Sequence, residues 1–139
     1  MATAVQAVTQ WITVTPMGNV RDWYDEALTS LARISALNDN WDGYGSPPLQ
    51  QTAKDVAAKL LLLLSRFTRL APHIAPVSGG GLQLEWVYDN RELELEVLPN
   101  GDIEFLAILE TGDMFDDRLS DWEGQVTQLV HWLITGVPQ

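Results

Sequence analysis

The sequence predicts an α+β domain: two helices, a three-stranded antiparallel meander, and a C-terminal helix packed on one sheet face. Three observations predict it. Residues 82–108 hold three runs of largely alternating apolar and polar residues, separated by two tight-turn signals. Residues 19–37 and 47–67 carry apolar side chains at three- and four-residue spacing, and a last such stripe spans 119–133. Residues 19–139 form the single domain, and residues 1–18 an N-terminal arm or edge strand.

In the arm, Trp11-Ile12-Thr13-Val14 has strand propensity and Pro16 ends it. This stretch either adds an edge strand to the meander or covers an apolar patch of Val87, Leu106 and Ile108. The first helix opens at Asn19 as cap, with Asp22 and Asp25 in the first turns, where the helix dipole favours carboxylates. Its buried stripe runs through Val20, Trp23, Tyr24, Ala27, Leu28, Leu31, Ile34 and Leu37, and it stops near Asn38. Residues 39–48 are too rich in Asn, Gly and Pro for regular structure. Ser46 and Pro47 are expected to be the cap and first residue of the second helix. Ala53, Val56, Ala57, Leu60, Leu61, Leu64 and Phe67 form its stripe; being apolar around most of its girth, it is expected at the centre.

Pro72 and Pro76 forbid helix and carry the chain, extended, into Gly79-Gly80-Gly81. Asp89-Asn90 is a two-residue turn, because both side chains tolerate positive φ. That turn sets Tyr88 against Arg91, Trp86 against Leu93, Leu84 against Leu95 and Leu82 against Val97, so the apolar faces agree. Pro99-Asn100-Gly101 is a three-residue loop with Gly101 left-handed, which opposes Val97 to Ile103 and Leu95 to Phe105. A two-residue Asn100-Gly101 turn instead opposes Val97 to Glu104 and mixes the faces. Residues 111–117 read as an acidic loop. Ser120-Asp121-Trp122-Glu123 reads as a capping box opening the last helix, which Gly136 and Pro138 end.

The 139 residues carry a net charge of −11, and its distribution is uneven. Residues 1–78 balance six acidic against six basic side chains; residues 79–110 hold eight against one, and residues 111–139 five against one. Such a C-terminal half repels phosphate backbones, which argues against direct nucleic-acid binding, and attracts basic protein surfaces. No apolar run is long enough to span a membrane, and no secretory signal pattern opens the chain. With no cysteine, disulfide and thiolate chemistry are excluded, and a cytoplasmic location is the default expectation.

The face opposite the apolar one carries Glu85, Glu92, Glu94, Glu96 and Glu104, and no Lys or Arg of the three strands falls on it. The register sets Glu85 beside Glu94 and Glu96 beside Glu104; like charges so placed cost about a few tenths of a kcal/mol per pair. Either this is a solvated face or it meets a cationic partner. Val87, Leu106 and Ile108 on the same face favour a partner or a covering segment.

Residues 38–49 also invite comparison with a calcium loop. Asn38, Asn40 and Asp42 fall at positions 1, 3 and 5, and Gly43 at position 6, but Leu49 stands where the bidentate glutamate belongs. A single carboxylate does not balance a hard divalent ion. Asp39-Asn40-Trp41-Asp42-Gly43-Tyr44-Gly45, the Pro pair, the Ala/Leu-rich helix, Ile74-Ala75-Pro76 and Gly80-Gly81-Leu82-Gln83-Leu84-Glu85-Trp86 resemble a group of small bacterial proteins. That group shares an Asn-Trp-Asp-Gly-Tyr-Gly signature and a later Gly-Gly-x-x-Leu-Glu-Trp. The resemblance covers about residues 37–98 and transfers no catalytic residue. Ser78 stands where the pattern leads one to expect Asp, which weakens a ligand role for that turn. Trp41 and Tyr44 are either exposed interface anchors or lids over the helix pair, and aromatics in helix connections usually close cores.

His73 and His131 have no His or Cys partner at metal-ligand spacing. The three glycines enter a strand rather than a helix and no Gly-Lys-Ser/Thr follows, so no phosphate loop forms. The glutamates, exposed on a convex sheet, lack the burial that raises a catalytic pKa. The expectation is a protein that is not an enzyme, with no metal and no cofactor. It is expected to be an acidic antitoxin-, immunity- or inhibitor-like module covering a basic, even nucleic-acid-binding, surface of a protein partner. The alternative is a small subunit or adaptor of a larger bacterial complex, held through the aromatic loop of residues 38–48.

Overall fold

The computed structural model describes residues 22–138. The expected arm, its Trp11–Val14 stretch and the Asn19 cap lie outside the described residues. Eight elements follow in order: α1 (Asp22–Ser35), α2 (Gln51–Phe67), β1 (His73–Val77), β2 (Gly81–Tyr88), β3 (Arg91–Val97), β4 (Ile103–Ile108), β5 (Met114–Leu119) and α3 (Trp122–Thr135). The strands form one antiparallel sheet in the order β1-β2-β3-β4-β5. The α+β class holds, but the expected three-stranded meander is flanked by a further strand on each side.

The three central strands keep the register that alternation demands. Trp86 faces Leu93, Leu84 faces Leu95, Val97 faces Ile103 and Leu95 faces Phe105. Asp89 and Asn90 sit at φ 51° and 65°, the conformation that matches the twist of two paired strands. Leu98 N donates to Asp102 O (2.8 Å) and Gly101 N to Leu98 O (2.8 Å), closing the three-residue loop with Gly101 at φ 94°. Leu82, Leu84, Trp86, Leu93, Leu95, Val97 and Ile103 thereby share one face. They form a single core with Trp23 and Leu31 of α1, Leu60 and Leu64 of α2, and Val126, Val130 and Leu133 of α3. All three helices lie on that face, and α2 touches α1, α3, β2 and β3, the central place its leucines predict.

Three boundaries differ from expectation. Helix α2 begins at Gln51, not at Pro47. Pro48 bars the α conformation at Pro47, so no helix can start before it has passed, and Ser46 is engaged elsewhere. Residues 111–117 are not all loop: the turn closes at Asp113, and Met114 begins β5. The capping box at Ser120 and Glu123 does not form; Asp121 is the cap residue, and its N–H donates to Gln125 Oε1 (2.8 Å).

Two indoles and one guanidinium tie the layers together. Trp23 Nε1 donates to Thr68 O (3.1 Å) and Trp86 Nε1 to Leu70 O (3.0 Å), pinning the segment between α2 and β1 from both sides. Arg91, only 3 % exposed, turns to the core side. Its Nε donates to Leu133 O (2.9 Å) and its Nη2 to Ile134 O (3.3 Å), while Glu110 lies 3.3 Å from Nη1. A cation on the last carbonyls of α3 answers both the unsatisfied acceptors and the negative end of the helix dipole. Gly136, at φ 75°, ends α3 there, and a Cβ on it would lie 2.9 Å from Arg91 Nη1. Among the described residues no helix is long and apolar enough to cross a membrane.

Candidate functional site

The outer sheet face, away from the helices, is built in rows across the strands. One row reads His73, Glu85, Glu94, Leu106, Asp116; the next reads Ala75, Gln83, Glu96, Glu104, Arg118. A third reads Val87, Glu92, Ile108, Met114. The five glutamates expected on this face are all there, with the expected adjacencies of Glu85 to Glu94 and Glu96 to Glu104.

Two expectations about this face need correction. The glutamates are half-buried rather than fully exposed, because long side chains on neighbouring strands shade one another. Nor is the face free of a cation. The unforeseen β5 brings Arg118, which lies 3.5 Å from Glu104 and 3.2 Å from Asp102. Relief therefore comes only at that margin. Glu94 and Glu96, in the middle, have no ion-pair partner among the described residues. Burial first, then the charges of Glu85 and Glu92, pushes the Glu94 carboxyl above the usual range. Burial, then Glu104 and Glu94, does the same to Glu96. The only basic side chain of residues 79–110, Arg91, is spent inside on α3. In the row of Glu92, Val87 on one side and Met114 beyond Ile108 on the other are each 65 % exposed.

The signature loop is a second feature, and the structure separates its two aromatics. Trp41 is half-buried, and its Nε1 donates to Pro47 O (3.2 Å) within the same loop. Tyr44 is 90 % exposed and closes nothing, contrary to the lid expectation. Its place follows from Asp42. That carboxylate accepts from Ser46 Oγ (2.6 Å), Ser78 Oγ (2.6 Å) and the Tyr44 N–H (2.9 Å). These donors, Ser46 first, hold its pKa well below the usual carboxylate range. Gly79 N also donates to Ser46 Oγ (3.3 Å) and Gln50 N to Gly80 O (3.1 Å), so the loop is bound to the β1–β2 turn. Asn40 Oδ1 accepts from Gly45 N (2.7 Å), and Gly43 and Gly45 take φ near 80°. The resulting turn thrusts Tyr44 outward. Ser78 is thus a donor to Asp42, a role an Asp there could not fill without its proton. The loop carboxylate that a calcium site would need is consumed by these bonds. Among the described residues no cluster of three or more His, Asp or Glu is arranged to hold a metal.

Two surface grooves lie beside the helices. One of about 440 Å³ separates α2 from α3 and includes Phe67, His131 and Ile134. One of about 570 Å³ lies between α1 and residues 71–74 and includes Trp23, Glu26, Arg33 and His73. Comparison of the chain with family models, with curated proteins and with solved structures finds no match.

Proposed function

We propose that this chain is a non-enzymatic protein-binding module. Its acidic outer sheet face docks on a basic surface of a protein partner, in the manner of an inhibitor, immunity protein or antitoxin. One observation carries the reading: Glu94 and Glu96 stand at the centre of the face, without a cation, beside other carboxylates and partly out of water. Such an arrangement costs folding stability, and a cationic partner removes that cost on binding. The adjoining Val87, Ile108 and Met114 supply apolar contact, so the face has the mixed character of an interface rather than of a solvated sheet. A cytoplasmic setting without direct nucleic-acid contact belongs to the same proposal, as does the relation to the small bacterial proteins that share the loop signature.

The test uses the full chain as immobilised bait at low and high salt. The parent and an Asp55→Lys control on α2 are expected to retain a partner that Glu94→Lys/Glu96→Lys loses. Capture is expected to weaken as salt rises, mainly through slower association. Equal capture by the doubly reversed bait sinks the reading. Exposure of Tyr44 supports a second reading, an adaptor held through residues 38–48. Under it Tyr44→Ala loses the partner and Glu94→Lys/Glu96→Lys keeps it.

A further inference from the structure

The sheet has two edges, and they differ in what their backbones offer. Antiparallel strands alternate residues that bond the neighbour with residues that point their N–H and C=O away from it, so a hairpin's closing bond determines which are which. In the β1–β2 hairpin Gly80 N donates to Val77 O (3.3 Å), and Val77 pairs with Gly81. His73, Ala75 and Val77 therefore bond β2, while Ile74 and Pro76 face outward. Pro76 has no N–H, nor has Pro72 one step earlier in the same row, so Ile74 alone offers an amide. That edge is closed by proline.

At the other edge, Leu109 N donates to Asp113 O (2.9 Å) and Gly112 N to Leu109 O (2.8 Å). Phe115, Asp117 and Leu119 therefore bond β4, and Met114, Asp116 and Arg118 turn outward. The Arg118 N–H is held by the exposed Asp117 Oδ1 (2.8 Å), a local acceptor that a strand can displace. The Met114 and Asp116 amides, and the outward carbonyls, meet no partner among the described residues. The β4–β5 register runs one-to-one from Ile103 with Leu119 to Ile108 with Met114, without proline or bulge. Met114 is 65 % and Phe115 57 % exposed, one on each side of the strand.

We propose that β5 is a docking edge that receives an extended cationic segment of a protein partner as a sixth, antiparallel strand. This rests on the acidic docking face above and names how the partner engages it. The open backbone carries the inference; the side chains select the occupant. Asp116 continues the outer row of Glu85, Glu94 and Leu106, and Asp117 lies on the opposite side. The segment therefore presents adjacent cations to these two, and apolar residues to Phe115 and Met114. A second copy of β5 meets Asp116 on itself in one two-fold register and Asp117 on itself in another, where Asp116 also faces Arg118, so self-pairing is an outcome that the test separates.

The probe is the acetylated, amidated peptide Thr-Thr-Lys-Lys-Val-Val-Thr, added to the ¹⁵N-labelled full chain at low salt. In the free chain the Met114 and Asp116 amides are expected to exchange freely with solvent. Peptide is expected to slow them and to shift resonances along β5. Methylating the backbone nitrogens of the second Lys and second Val leaves charge intact but removes the donors facing the edge. It is expected to weaken binding about tenfold or more, the scale of two lost hydrogen bonds. Met114→Pro, which copies onto β5 the device of Pro76, is expected to do the same without a change in charge. Amides already protected in the free chain overturn the proposal, because the edge is then occupied by residues 1–21 or a second copy. Equal binding by the methylated peptide, with shifts on Glu94 and Glu96, overturns the edge and leaves the docking face standing. No binding at low salt overturns the edge, and the docking face then stands or falls by capture with the Glu94→Lys/Glu96→Lys bait.

Discussion

Adjacent residues of the same two strands build the two faces of the sheet, and the faces obey different physics. Leu84, Leu93 and Leu95 are sealed from water against three helices, whereas Glu85, Glu94 and Glu96, one position along, crowd together with no central counter-charge among the described residues. The inner face gains from apolar area and close packing. The outer face loses from repulsion and partial desolvation. The fold tolerates that loss because it is small beside the gain of the core. Stability resides on one side of these strands, leaving the other side available for interaction.

Substitutions on the two faces sharpen the contrast. The largest effect belongs inside: Leu95→Ala is expected to lower unfolding free energy by about 2–5 kcal/mol in denaturant titration. A loss no greater than that of a surface change would break the comparison. Next comes Arg91→Met, which keeps apolar bulk but leaves the last carbonyls of α3 without their donor. We expect a loss of about 1–3 kcal/mol, with faster amide exchange concentrated at the end of α3.

The smallest effect, of opposite sign, belongs outside: Glu94→Gln/Glu96→Gln is expected to raise stability by about a few tenths of a kcal/mol. The pH profile separates the same groups. Because Glu94 and Glu96 have raised folded pKa values, the folded state binds their protons more readily than the unfolded state. Their penalty is thus absent below the unfolded value and grows as pH rises from it through the folded ones. Asp42 has the opposite sign. Its contribution is present above the unfolded value of 3.8 and is lost as pH falls toward its lower folded pKa. Melting temperature is therefore expected to rise on mild acidification from neutrality, and the double Gln variant is expected to flatten that rise. An unchanged slope in the variant would show that the face is solvated surface.

The central meander was legible because two independent signals agree there. Alternation assigns each side chain to a face, and the Asp89-Asn90 and Pro99-Asn100-Gly101 turns set the same register. The outer glutamates followed directly from it. The edge strands carried no such signal. Residues 73–77 contain Pro76, and residues 114–119 read Met-Phe-Asp-Asp-Arg-Leu, exposed on both sides except at the end. An edge strand is held by its backbone ladder, so its side chains need not alternate. The Ser78 and Asp42 pairing, 36 residues apart, was equally hidden, because each member alone looks like turn chemistry.

The sequence by itself determined the α+β class, the three-strand register and the acidic face, since each follows from local period and turn conformation. Only the tertiary structure decided that Arg118 reaches that face, that Arg91 on the core side holds the end of α3, and that Tyr44 stands out while Trp41 bonds within its own loop. It also decided that, among the described residues, one sheet edge is closed by proline and the other is without a neighbour. These depend on contacts between distant residues, where burial, pairing and charge are properties of the assembled layers rather than of any one stretch.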